Sequence, residues 1–200
     1  MSEEYPQNAA SAGRIQQAPD ATGGVSSRNH VWIFETERLK LRQLDGDDFA
    51  ALSQIMRDEI TMHAYEGAFS GVEIKEWIER QMRRYEYDGF GLWAVVMRET
   101  NEVIGQCGLT LQDYSGKLVV EVGYLFARTH WHQGFATEAA IACREYAFHT
   151  VGADEVYSII RDTNDASIQV AKRNGMIPVD TMVKHYRGID MPHIVYRVER

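Results

Sequence analysis

Leu39 and Leu41 in "RLKLRQL" alternate with Arg38, Lys40 and Arg42, the two-residue period of a strand with one buried face. In "DGDDFAALSQIMRD" the period lengthens: acidic residues open the segment, and Phe49, Leu52, Ile55 and Met56 follow at helical spacing. A second helical stripe, Ile74, Trp77, Ile78, Met82 and Tyr85, runs through "GVEIKEWIERQMRRYEYDG" and closes at Gly89. Two apolar, β-branched runs flank "RETNE" in "GLWAVVMRETNEVIGQCGLTL", which predicts a hairpin. "KLVVEVGYLFA" predicts a further strand, and a helix from about residue 134 to 150 carries Phe135, Ala139, Cys143, Tyr146 and Ala147 on one side. "DEVYSIIR" reads as a strand, "DASIQVAKRNG" as a short helix ending at Gly175, and "VDTMVKHYR" with "MPHIVYRVE" as a closing antiparallel pair. The order βααβββαβαββ predicts a mixed sheet with helices on its faces, an α/β or α+β class.

Residues 1–30 are rich in Ser, Ala, Gly, Gln and Asn and show no hydrophobic period, so they are expected to form a flexible tail. Patterning is dense from Val31 to Arg200 without a second linker, which predicts one domain over residues 31–200. The net charge of −8 and the lack of a Lys/Arg run argue against a nucleic-acid or anionic-membrane surface. A cationic small molecule or peptide suits such a chain better. Cys107 and Cys143 lie inside apolar segments without metal-type spacing and read as buried, reduced thiols. With no apolar run of about 18 residues and no basic-then-apolar leader, a soluble, cytoplasmic protein is expected. Enzyme, binding module and structural subunit all remain open at this level.

Candidate chemistry concentrates in "HWHQGFATEAA", residues 130–140, where Gly134 and Ala136 stand at a helix start. A helix start leaves about four N–H groups unpaired at the positive end of the macrodipole, and small residues let an anion approach the main chain. The stretch is therefore either a diphosphate cradle or a plain tight strand-to-helix turn. It contains neither GxGxxG nor Gly-Lys-Ser/Thr, which lowers the expectation of a dinucleotide fold or a nucleoside triphosphatase.

"VEVGYLFARTHWHQGFATEAAIACREYAF" followed by "RDTNDASIQVAKRNGM" resembles the GNAT superfamily of acyl-CoA-dependent N-acyltransferases, and within it the Rim-type branch of ribosomal-protein N-terminal acetyltransferases. The resemblance covers about residues 35 to 199. Against the signature Arg/Gln-x-x-Gly-x-Gly/Ala, Gly134 and Ala136 match and Trp131 departs, as is usual in that branch. The resemblance implies a mostly antiparallel central sheet with a splayed strand pair at the cofactor site. It implies acetyl-CoA as co-substrate and a primary-amine acceptor, and it allows a homodimer; Cys107 and Cys143 fall on no motif position, which argues for direct transfer in a ternary complex, and no metal is expected. The pantetheine arm falls to Leu125, Phe126 and Ala127 with Asn164, and the pyrophosphate to His132, Gln133, Gly134, Phe135, Ala136 and Thr137.

For catalysis the resemblance points to Glu121 as general base, by alternation on the same face as Gly123 and Leu125. A Glu that merely orders the sheet or pairs with a cation is the other reading. A backbone N–H near Leu125 or Phe126 would bond the oxyanion. Many relatives carry an acid Tyr seven residues after the Asn; here that position is Ala171, and Ser167 is the branch's candidate near the sulfur, or else a local helix-start residue. His130 and His132 lack a third ligand nearby, Trp77 and Trp93 fit core faces, and His149 suits a helix C-terminus. The acceptor groove is expected between "RDEITMHAYEGAFSG" and "YRGIDMPH", with Asp58, Glu59, Glu66 and Asp190 drawing a cationic amine and Tyr65 or Phe69 packing its apolar part.

Overall fold

The computed structural model describes residues 30–65, 67–186 and 188–200, so the expected tail lies outside the described residues apart from His30. Eight strands form one sheet in the order β1-β2-β3-β4-β5-β6-β8-β7. They are β1 (Trp32–Glu35), β2 (Leu39–Arg42), β3 (Leu92–Met97), β4 (Val103–Tyr114), β5 (Lys117–Phe126), β6 (Glu155–Arg161), β7 (Ile177–Tyr186) and β8 (Ile189–Glu199). The helices are α1 (Phe49–Met56), α2 (Gly71–Tyr87), α3 (Phe135–Tyr146), extended by a π turn at Ala147–Val151, and α4 (Asp165–Arg173). Only β5 and β6 run parallel; every other neighbouring pair is antiparallel.

The sheet separates two apolar layers. Trp93, Cys107, Val122, Phe126, Phe135, Ala139, Cys143 and Ile168 pack between the sheet and α3 with α4, while Leu52, Ile55, Met56, Ile74, Ile78, Ala94 and Val96 pack beneath α1 and α2. Alternation decides the assignment: even residues of β5 face the first layer, and Leu125 with Ala127 face the second. A buried pair, Arg42 to Asp48 at 2.7 and 2.8 Å, ties the end of β2 to the turn that starts α1. Removing one partner of such a pair costs about 3–5 kcal/mol, because the other charge is left desolvated.

Two expectations change. β1 precedes the strand anticipated as the first; a register shift between Trp32 and Phe34 breaks its alternation, which hides a four-residue strand from a period-two reading. On α2 the buried stripe runs through Gln81, fully enclosed, while Met82 is 42% exposed. Gln81 satisfies its amide inside the protein, accepting from Leu92 N–H at 3.1 Å and from Arg84 at 3.2 Å.

Candidate active site

β5 pairs with β4 from Tyr114↔Lys117 to Gly105↔Phe126, but with β6 only at Glu121↔Tyr157. Beyond that point the two strands part. The Ile159 N–H donates to Glu121 Oε1 at 3.0 Å, and Ser158 Oγ donates to the Val122 carbonyl at 2.9 Å, so side chains take over where the ladder stops. Val122 thus presents its main chain to the β6 side, as does Phe126, whose carbonyl accepts from Trp131 Nε1 at 2.9 Å. Alternation places the main-chain groups of Tyr124 there too and turns those of Leu125 toward β4, where Gln106 is its register partner.

The cleft opens into a groove of about 2200 Å³, larger than the roughly 300–1,000 Å³ of a small-ligand pocket. At one end stands the start of α3. The chain reaches it through left-handed His132 (φ 60°) and Gly134 (φ 83°), and no side chain caps the helix. By contrast, Ser70 caps α2, Asn164 caps α4, and Asp45 caps the turn before α1. The first-turn N–H groups of α3 therefore face the groove with no capping side chain and a favourable dipole, the arrangement that receives an anion.

Of the residues expected to bind the cofactor or carry the chemistry, all but Ala127 and Gln133 line this groove. Ala127 is committed to the sheet, its N–H donating to the Ile104 carbonyl at 2.9 Å. Gln133 donates its amide to the Thr129 carbonyl at 3.2 Å and gives its own carbonyl to Arg38 at 2.9 Å. Leu125 reaches the groove with its side chain, and Tyr124 joins Phe126 as the residue whose main chain faces the gap. The signal for Tyr124 lay in the strand's alternation, read for the main chain as well as the side chains.

Glu121 stands where β5 and β6 separate, its second oxygen accepting from Thr110 Oγ1 at 3.2 Å. Across the α2 face of the groove, Tyr65, Phe69 and Trp77 meet edge-on with centroids 5.9–6.0 Å apart. Trp77, expected as a core residue, is half-buried in the groove wall and donates its indole N–H to Gln106 at 2.9 Å. Trp93 is in the core as expected, 1% exposed. At the start of α4, Asn164 Oδ1 accepts from Ser167 N–H at 3.2 Å, and the Ser167 carbonyl accepts from Tyr124 OH at 2.9 Å. Burial pushes the Tyr124 phenol up from its ordinary value, so it stays a proton donor. Ala171 is packed in the core.

The acceptor-side acids are placed differently from the sequence expectation. Asp58 pairs with Arg128 at 3.0 Å and caps Thr61 N–H at 2.8 Å; Glu59 accepts from Ala68 N–H at 3.2 Å; Asp190 pairs with His185 at 2.8 Å. None of these three lines the groove, and Glu66 lies outside the described residues. Short acidic side chains on turns satisfy the nearest N–H or cation, which took these carboxylates out of play. Glu76 of α2 lines the groove instead, as does Glu73, whose Oε2 also accepts from Ser70 N–H at 2.7 Å in the α2 cap. So does His193, unmarked in the sequence: its Nδ1–H donates to the Met191 carbonyl at 2.8 Å, and burial, with Lys184 and Arg161 nearby, lowers its pKa. His193 is therefore neutral at pH 7.

Outside the groove, Cys107 and Cys143 are fully buried with their sulfurs 3.4 Å apart, and burial raises the Cys143 thiol well above its usual value. His149 ends its helix beside Glu145 at 3.2 Å. Among the described residues no cluster of three metal-type ligands occurs, and no helix is long and apolar enough to cross a membrane.

A family model described as an acetyltransferase (GNAT) domain matches residues 38–177. An uncharacterized protein of Bacillus subtilis, YkkB, is 36% identical over 142 residues, covering 70% of this chain and 83% of that one. Among solved structures, an acetyltransferase from Agrobacterium tumefaciens superposes with a TM-score of 0.71 at 26% identity, over 90% of this chain and all (100%) of that one. RimL, a ribosomal L7/L12 alpha-N-protein acetyltransferase, superposes with a TM-score of 0.74 at 17% identity, over 88% of this chain and 100% of that one.

Proposed function

The chain belongs to the GNAT acetyltransferase family, and from that premise we propose that its groove holds acetyl-CoA and a primary amine together and passes the acetyl group directly from sulfur to nitrogen. The observation that carries this reading is the parting of β5 and β6 beside an uncapped helix start. An extended arm can add its hydrogen bonds to the Tyr124 and Phe126 main chain, and a pyrophosphate fits the N–H groups from His132 to Thr137. The Asn164 amide N–H groups, opposite the capping oxygen, then point to the arm.

The amine arrives largely protonated at pH 7, since an α-amine has a pKa near 8 and a lysine amine near 10.4. Glu121 takes that proton, directly or through one water, and the freed lone pair attacks the thioester carbon. The Tyr124 N–H bonds the oxygen on which charge builds. The C–S bond then breaks: Ser167 Oγ donates its proton to the departing sulfur, and the second proton, which the acylated nitrogen must shed to become an amide, returns to Ser167 directly or through a water. Because a thiolate with a pKa near 8.5 leaves readily, Ser167→Ala is expected to lower kcat by less than about tenfold, in single-turnover assays at saturating acetyl-CoA. The two cysteines, buried away from the groove, favour direct transfer over an acyl-enzyme.

For the acceptor we propose an α-amine of a protein or peptide, by likeness to RimL, in the cytoplasm. The aromatic wall of Tyr65, Phe69 and Trp77 and the carboxylates of Glu73 and Glu76 suit a cation with an apolar flank. Acetylation of N-terminal peptides, polyamines and aminoglycosides, compared by kcat/KM, tests this: preference for peptides supports it, and turnover confined to small polyamines or antibiotics overturns it. Two observations favour a second reading, an acyl-CoA-binding regulatory domain: Ala171 stands where many relatives carry the acid Tyr, and both Glu121 oxygens already hold hydrogen bonds. That reading expects tight acetyl-CoA binding and no turnover on any amine.

A further inference from the structure

Arg38, on the turn before β2, lies almost a hundred residues from the α3 loop in sequence and against it in space. Its Nη1 donates to the Gln133 carbonyl at 2.9 Å, and its guanidinium lies over the Phe135 ring, 4.4 Å from the centroid. Its Nε donates to Glu138 Oε2 at 2.7 Å, its own main-chain N–H donates to Glu138 Oε1 at 2.9 Å, and Thr36 Oγ1 reaches the same oxygen at 2.6 Å. The Arg38 carbonyl is held by Arg98 N–H at 2.9 Å, so the arginine hangs from the sheet and not from the loop it grips.

The Gln133 carbonyl and the Gly134 N–H belong to one peptide unit and point in opposite directions. Gly134, left-handed at φ 83°, can turn that unit over at little cost, which would put a carbonyl where the groove needs a donor. Glu138, in the first turn of α3, is a second difficulty, since an unpaired carboxylate there repels any anion at the helix start. Burial alone would raise its pKa, but the hydrogen bonds from Thr36 and Arg38 outweigh that and hold it below the usual carboxylate value, ionised and compensated.

We propose that Arg38 is the positioning residue of the anion-binding loop: it holds the Gln133 carbonyl outward, which turns the Gly134 N–H into the groove, and it neutralises Glu138 at the helix start. The proposal rests on the reading that this loop holds the pyrophosphate of acetyl-CoA.

The test measures CoA affinity by titration, KM for acetyl-CoA, KM for the amine, kcat and thermal midpoint in the wild type, Arg38→Gln and Arg38→Lys. Hydrogen bonds from a charged group are each worth enough that Arg38→Gln should weaken CoA binding and raise KM for acetyl-CoA by roughly tenfold or more, with kcat at saturation and KM for the amine within about twofold. Lysine restores the charge but not the fork that spans Gln133 and Glu138, so Arg38→Lys should recover only part of the affinity. S-acetylpantetheine, which lacks the pyrophosphate, should lose nothing in either variant. CoA affinity unchanged in Arg38→Gln, or a loss shared equally by kcat, amine KM and S-acetylpantetheine, overturns the proposal. If Arg38→Gln does not fold, Arg38→Lys decides by the same ratio. Failure of the wild type to bind CoA would instead overturn the reading of the loop itself.

Discussion

Replacing Gly134 by valine is expected to weaken acetyl-CoA binding by at least about tenfold while leaving the sheet folded. At φ 83° a β-branched side chain is strained by about 1–3 kcal/mol, and about 1.4 kcal/mol is already a factor of ten. A Cβ at Gly134 meets only Arg38 Nη2, at 3.4 Å, an ordinary contact, so the penalty lies in the backbone. The loop relieves it by rotating residue 134 out of the left-handed region, and that rotation carries its N–H away from the groove. Calorimetric titration with acetyl-CoA reads the loss, and circular dichroism confirms that the fold survives. Gly134→Val binding acetyl-CoA as tightly as the wild type would mean that the start of α3 is only a turn.

Glu121→Gln is expected to lower kcat by about a hundred- to ten-thousand-fold, the range of a positioned general base, with acetyl-CoA affinity nearly unchanged. The substitution separates the proposed base role of Glu121 from the hydrogen bonds the side chain makes between the strands. A glutamine carbonyl can still accept from Ile159 N–H, and its amide can donate to Thr110 Oγ1, so the strand parting is kept and only the proton acceptor is lost. The sign of the pH effect follows. Without a base the rate depends on amine that is already neutral, so the variant recovers as pH rises toward the amine's pKa, near 8 for an α-amine. Its deficit is therefore largest at low pH. A kcat profile identical to the wild type between pH 6 and about 9 would leave Glu121 as the wedge between β5 and β6 and nothing more.

What the sequence made legible depended on whether a feature is local. The helix start at Gly134, the strand through Glu121 and Phe126 and the short helix from Asp165 each follow from residues a few positions apart, and each lies where its spacing implied. The acids at Asp58, Glu59 and Asp190 failed for a local reason of another kind. Composition counts charge, whereas geometry assigns each carboxylate to the nearest N–H or cation: Thr61, Ala68 and His185 lie close in the chain, and Arg128, the cation beside Asp58, lies seventy residues away. Main-chain direction was recoverable but easily misassigned: the rule that sends Glu121, Gly123 and Leu125 to one face also sends the Tyr124 and Phe126 main chain into the gap and that of Leu125 to β4. Arg38 with Glu138, Trp77 with Gln106 and His193 beside Arg161 are pairings across the sheet or between distant segments, and a pattern read along one stretch contains no signal for them.

The proposed chemistry requires that thiol release depend on the amine. Acetyl-CoA incubated with the protein, with and without an N-terminal peptide, and followed by free thiol alongside a titration of acetyl-CoA binding, tests this most directly. The account predicts binding in both cases, thiol only when the amine is present, and one N-acetylated product for each thiol released. Tight binding with no thiol released on any primary amine would contradict it and leave a domain that binds acetyl-CoA without using it.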